Sequence, residues 1–145
     1  MEDFIRKLLV AFDGSPYSRH ALDYACRLAM LFNASVRVVL VVDLARIRGI
    51  VFDILITREE ELKAEARKLV EKAIKEQAEK YPAVKLEYVI RVGHPLEEII
   101  KEAKSWKPDI LVLGARGTSD IKEIRLGSIA EALVRTSDIP LLIVK

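Results

Sequence analysis

Two glycine-bearing segments hold the residues of this chain best suited to ligand chemistry. The first, Asp13-Gly14-Ser15, follows the apolar run Lys7 to Phe12. The second, Gly114-Ala115-Arg116-Gly117, follows Ile110-Leu111-Val112-Leu113 and leads after nine residues, 118–126, to Gly127-Ser128. Gly114 and Gly117 would let a ligand approach the backbone closely. Gly127-Ser128 stands at a predicted helix start, where unpaired N–H donors and the partial positive charge of the helix end suit phosphate oxygens. The Ser128 hydroxyl would help, and Arg116, Lys122 and Arg125 bring positive charge, although Lys122 and Arg125 read equally as a solvated loop face. Asp13-Gly14 also reads as a simple strand-to-helix turn in which the aspartate bonds its own loop.

Other reactive side chains point to no chemistry. Cys26 shares a helix face with Leu22 and Ala29 and has no sequence partner, so it reads as a small core residue. His20 and His94 lack ligand spacing and read as surface or capping residues. Trp106, beside a helix end, reads as packing on the rim of a sheet. Neither Gly-x4-Gly-Lys-Ser/Thr nor Gly-x-Gly-x2-Gly occurs. With no lysine to clamp terminal phosphates and no residue to orient an attacking water, fast phosphoryl transfer is not expected.

Short apolar runs alternate with helical periods, and that alternation sets the frame for these segments. Ser15 suits an N-cap and Pro16 a first helical residue, and Ala21, Ala25, Leu28 and Phe32 follow on one face. Asn33 suits a left-handed closing position before a valine-rich strand, Ser35 to Val42. Thr57 and Glu60 make a capping box for a helix carrying Leu62, Ala66, Leu69 and Ala73, with Glu59/Lys63, Glu71/Lys75 and Glu76/Lys80 as pairs on its solvated side. The stretch Asp43 to Ile56 is unassigned. A strand over Leu86 to Val92, a helix with Leu96, Ile99, Ile100 and Ala103 inward, the strand Ile110 to Leu113, a helix over Ser128 to Ser137 and the strand Leu141 to Val144 complete the chain.

Strict β-α alternation predicts right-handed crossovers and a doubly wound α/β domain, Rossmann-like, with five parallel strands in the order 3-2-1-4-5 and helices on both faces. In such a sheet the ligand crevice lies at the carboxyl ends of the first and fourth strands. The Asp13 and Gly114 segments follow those strands.

Composition removes several classes. The 145 residues carry a net charge of +2, which indicates neither acidic disorder nor a basic nucleic-acid surface. With 51% hydrophobic and 32% charged residues, one globular domain over 1–145 is expected. No apolar run nears the roughly 20 residues of a bilayer crossing. An acidic start without a signal-like apolar segment, and a single cysteine, agree with the cytoplasm.

The spacing Gly114-x2-Gly117-x9-Gly127-Ser128 resembles the ATP-binding signature of the universal stress protein family. The resemblance extends along the chain through Asp13-Gly14-Ser15, Ala21-Leu22, Pro108 to Gly114 and Ile139 to Val144. It implies a small cytoplasmic homodimer that binds ATP and acts in stress response by regulation rather than by rapid turnover. By analogy, adenine and ribose would meet Ala11, Asp13 and Val41, while Gly114, Arg116, Gly117, Gly127, Ser128 and Ile129 would surround ribose and phosphates. Mg²⁺ or Mn²⁺ would arrive with the nucleotide, held mainly by phosphates and water. One position departs from the pattern. Many nucleotide binders of the family carry Ser or Thr two places after the serine, and here Ala130 stands there. A nucleotide-free interaction module and a slow ATPase are the alternative readings. The last strand, apolar on both faces and at the sheet edge, predicts dimer pairing through residues 139–145.

Overall fold

The computed structural model describes residues 4–43, 45, 52–117 and 126–145, with the backbone alone over 52–57. Its elements run β1 (Lys7–Ala11), α1 (Pro16–Phe32), β2 (Ser35–Asp43), α2 (Phe52–Lys80), β3 (Lys85–Gly93), α3 (Pro95–Trp106), β4 (Ile110–Gly114), α4 (Ser128–Thr136) and β5 (Leu141–Val144). The strands form one sheet, β3-β2-β1-β4-β5, with every pairing parallel, as the alternation predicts.

The period of two in β1 divides the core. Leu8 and Val10 pack with Val36, Val38, the α1 residues Ala21, Leu22 and Ala25, and the α2 residues Leu62, Ala66 and Val70 on one face. Leu9 packs with Val39, Leu111 and Leu113 beneath Ile99 of α3 and Ala130 and Leu133 of α4 on the other. Both faces of the central strands are therefore covered, which is why β1 and β4 read as continuous apolar runs. The α1 stripe uses small residues, and Cys26 is fully buried among them.

Local signals fix the ends of α1. The Ser15 hydroxyl accepts the Ser18 amide at 3.1 Å, Pro16 opens the helix, and Asn33 closes it at φ 56°, ψ 44°. At the opposite end of the sheet, Asp109 Oδ2 accepts the Arg6 and Lys7 amides at 2.8 and 3.0 Å, tying the start of β4 to that of β1.

Two expectations change. The backbone is already helical at Phe52, so Thr57 lies inside α2 and cannot act as an N-cap, which needs extended backbone. A β-branched residue costs a helix interior only a few tenths of a kcal/mol, too little to stop it. The partners on α2 also differ. Lys63 Nζ lies 3.4 Å from Glu60, Lys80 reaches Asp23 of α1 at 3.5 Å, and Glu71 accepts the Tyr88 hydroxyl at 2.6 Å.

Polar contacts set α3 on the sheet. Glu102 receives Arg37 of β2 at 2.8 Å and Arg91 of β3 at 3.0 Å. Glu98 receives Arg91 at 2.9 Å and Lys101 at 3.1 Å. Both carboxylates are buried, and the guanidinium of Arg37 also lies 4.6 Å from the Trp106 ring centre, with Lys7 Nζ at 5.2 Å. Trp106 is thus on the rim, as its position predicts, but under two cations. Among the described residues, no helix is long and apolar enough to cross a membrane.

Candidate functional site

A cleft of about 810 Å³ opens over the carboxyl ends of β1, β2 and β4. The nine residues singled out from the sequence, Ala11, Asp13, Val41, Gly114, Arg116, Gly117, Gly127, Ser128 and Ile129, all line it. The two distant chain reversals therefore meet at one place.

The β1–α1 turn is a closed hydrogen-bonded unit. Asp13 Oδ1 accepts the Ser15 amide at 2.9 Å, and the Ser18 hydroxyl donates to the Ser15 carbonyl at 3.0 Å while accepting the Asp13 amide at 3.3 Å. The simple turn role of Asp13 is present, and it holds the carboxylate at the cleft. Gly14 has φ +83°, and a Cβ there would sit 2.6 Å from Leu69 Cδ2. The positive φ is what favours glycine at this position, since the Leu69 tip can move aside.

The second reversal is closed by two backbone bonds. The Ala115 amide donates to Val144 at 2.7 Å, and the Gly127 amide donates to Ala115 at 2.8 Å. Gly127 is thereby held beside the end of β4. Its own N–H is used within the fold and is not offered to a ligand, although the sequence places it in a free anion cradle. The free donors begin one residue later. The first helical bond of α4 runs from Glu131 N–H to the Gly127 carbonyl at 2.9 Å, which leaves the amides of Ser128, Ile129 and Ala130 without helical partners. Gly127 occupies the N-cap position and has no side chain to cap them. Arg116 is half-buried, with its guanidinium 5.8 Å from the Tyr17 ring. Lys122 and Arg125 lie outside the described residues.

The reason for glycine at 114 differs from expectation. Its Cβ position faces Tyr17 of α1 rather than open cleft, so the missing side chain admits the helix and not a ligand. Ala130 is explained likewise. Its methyl is buried in the cluster with Leu9, Leu113 and Leu133, where a hydroxyl would need a partner.

Several lining residues escaped the sequence reading. Leu62, Glu65, Ala66 and Leu69 of α2 form one wall, and His94, Pro95 and Ile99 contribute from the start of α3. Leu62, Ala66 and Leu69 lie on the stripe read as core, and they both pack in the core and line the cleft, while Glu65 lies off that stripe. His94 holds the N-cap position of α3 but makes no side-chain cap bond. His20 lies elsewhere, its Nδ1 2.8 Å from the Lys145 backbone oxygen.

The chain therefore has a doubly wound parallel sheet whose crevice carries an acidic turn on one side and an uncapped helix N-terminus on the other. A model of the universal stress protein family matches residues 5–145, and the chain belongs to that family. It is 35% identical to the universal stress protein YxiE of Bacillus subtilis over 96% of this chain and 98% of that one. The solved structure of MJ0577, from Methanocaldococcus jannaschii, is similar with a TM-score of 0.88 at 31% identity, covering 98% of this chain and 96% of that one. A universal stress protein solved in complex with cAMP has a TM-score of 0.72 at 26% identity, covering 97% and 96%.

Proposed function

We propose that the chain binds an adenine nucleotide, ATP foremost, in this cleft and acts as a nucleotide-dependent regulatory module in stress response. The observation that carries this reading is the uncapped start of α4, where the Ser128, Ile129 and Ala130 amides and the Arg116 guanidinium share a cleft with the strand ends of β1 and β2. Three donors without a partner among the described residues, at a helix N-terminus, suit phosphate oxygens. The apolar side chains of Ala11 and Val41 suit the base, and Asp13 suits the ribose hydroxyls. The volume lies within the range of about 300–1,000 Å³ typical of small-molecule sites, and a family relative has been solved with cAMP.

The role proposed is binding with at most slow hydrolysis. Mg²⁺ or Mn²⁺ would be held by the phosphates and water, since no group of three or more His, Cys, Asp or Glu side chains among the described residues is placed to hold a metal. The test is direct. Freshly purified protein is denatured and the supernatant chromatographed for adenine nucleotide, and the melting temperature is followed as Mg-ATP is added. Released nucleotide or a concentration-dependent rise supports the reading, with the response weakened in Ser128→Ala and Asp13→Ala. Neither signal leaves the nucleotide-free module. Phosphate release above buffer, lost in the same variants, would favour the slow ATPase.

A homodimer through residues 139–145 belongs to the same proposal. β5 is a sheet edge, and Leu141, Leu142 and Ile143 remain only partly buried along it. A second copy would pair that edge. A monomer mass by light scattering at micromolar concentration would remove this part.

A further inference from the structure

We infer that Glu65, which lines the same cleft as Asp43, makes the cleft selective for nucleotides whose negative charge lies at one end, and against those bearing a second phosphate on the ribose. This rests on the nucleotide reading above and adds a specificity determinant to it.

The cleft is charge-polarised along the sheet. Strand order places the ends of β2, β1 and β4 side by side, so the β2 and β4 ends lie about 10 Å apart at the usual spacing between strands. Asp43 closes β2, Asp13 follows β1, and Glu65 enters from α2, which packs over β2 and β3. Arg116 and the unpaired α4 amides lie on the β4 side. One end is acidic and the other offers donors.

Glu65 is the carboxylate best placed to act. Its neighbours on α2 are engaged, Glu61 by Arg58 at 3.3 Å and Glu60 by Lys63 at 3.4 Å. No hydrogen bond or ion pair joins Glu65 to another described residue. Asp43, by contrast, accepts the Ala45 amide at 2.9 Å. The helix carrying Glu65 is fixed one turn later, where Leu69 packs on Gly14. Glu65 therefore stays at the cleft and is not drawn away by a cation among the described residues.

A nucleotide with its phosphates at α4 turns its ribose and base towards this acidic end. Neutral hydroxyls and amino groups donate to carboxylates. A ribose phosphate there would instead meet like charge, a repulsion of about tenfold in affinity.

The test compares ADP with adenosine 3′,5′-bisphosphate by calorimetry on the full chain. Both carry two phosphates, placed on one end or on two. The wild type should bind ADP at least about tenfold more tightly. In Glu65→Gln, which keeps size and removes charge, that ratio should fall to about threefold, chiefly because the bisphosphate gains. Glu65→Lys should lower it further, with denaturation midpoints confirming that both variants are folded. An unchanged ratio in both variants would assign the discrimination to shape and overturn the inference, as would equal wild-type affinities. ADP failing to bind at all would instead overturn the nucleotide reading and this inference with it.

Discussion

Gly114 meets the first turn of α1 at backbone contact, so that a methyl group on it would lie 2.6 Å from Tyr17 Cβ and 2.7 Å from the Tyr17 carbonyl carbon. The contact is with backbone, which cannot swing aside as a side-chain tip can. Gly114→Ala should therefore destabilise the fold by about 1–3 kcal/mol, the usual range for overpacking. Urea denaturation reads this directly. A variant of wild-type stability that had lost only nucleotide affinity would show instead that glycine serves the ligand.

The same position shows what the sequence could and could not disclose. Alternating runs and caps made the strand order, the ends of α1 and the meeting of the Asp13 and Gly114 segments legible, because these follow from local periods and handed crossovers. Side-chain direction at a glycine is not a local property. Whether Gly114 faces ligand or helix depends on how closely α1 crosses β4, and nothing within the Gly114 segment encodes that. The α2 wall was hidden for a related reason. Leu62, Ala66 and Leu69 have the spacing of a core stripe and do pack in the core, and only the assembled layers show that they also border the cleft.

Acid should loosen α3. The hydrogen bond from Arg91, opposed by desolvation and reinforced by Lys101, holds the Glu98 carboxyl below its ordinary value of 4.5. A folded value below the unfolded one means that Glu98 contributes stability above pH 4.5 and loses it as pH falls through the lower folded value. Glu98→Gln should be less stable than wild type at pH 7, and the two stability curves should converge as pH falls through that lower folded value. Parallel curves through the acid range would show that Glu98 carries no linked proton.

Gln77 is a buried α2 residue whose Oε1 finds no hydrogen-bond partner among the described residues. An unsatisfied buried acceptor costs about 1–3 kcal/mol. Methionine has similar length and no such requirement, so Gln77→Met should raise the urea midpoint, by about 1 kcal/mol in stability. A fall would indicate that the amide is satisfied in solution.

Burial, with a smaller contribution from the charge of Asp23, pushes the Cys26 thiol up from 9.0 to about 12. Its thiolate fraction near neutrality is then about 10³-fold below that of an unperturbed cysteine. The native protein should resist iodoacetamide at pH 8 and react promptly once unfolded in urea. Rapid native labelling would place the thiol within reach of solvent and refute the core role.

Stability and binding should part company at Gly127. Its backbone, φ −64° and ψ 161°, already has the extended N-cap conformation open to any residue. Gly127→Asp would supply the missing cap, its carboxylate accepting one of the Ile129 or Ala130 amides and meeting the positive end of the α4 dipole. The protein alone should gain up to about 1 kcal/mol. The same carboxylate would occupy the donors that the phosphates need and repel them by charge, so ADP affinity should fall at least about tenfold. Thermal melts without and with ADP measure both effects on one sample. Gly127→Ala, which adds bulk without a cap, separates obstruction from competition. Nucleotide affinity undiminished in Gly127→Asp would mean that the anion is bound elsewhere than at the start of α4.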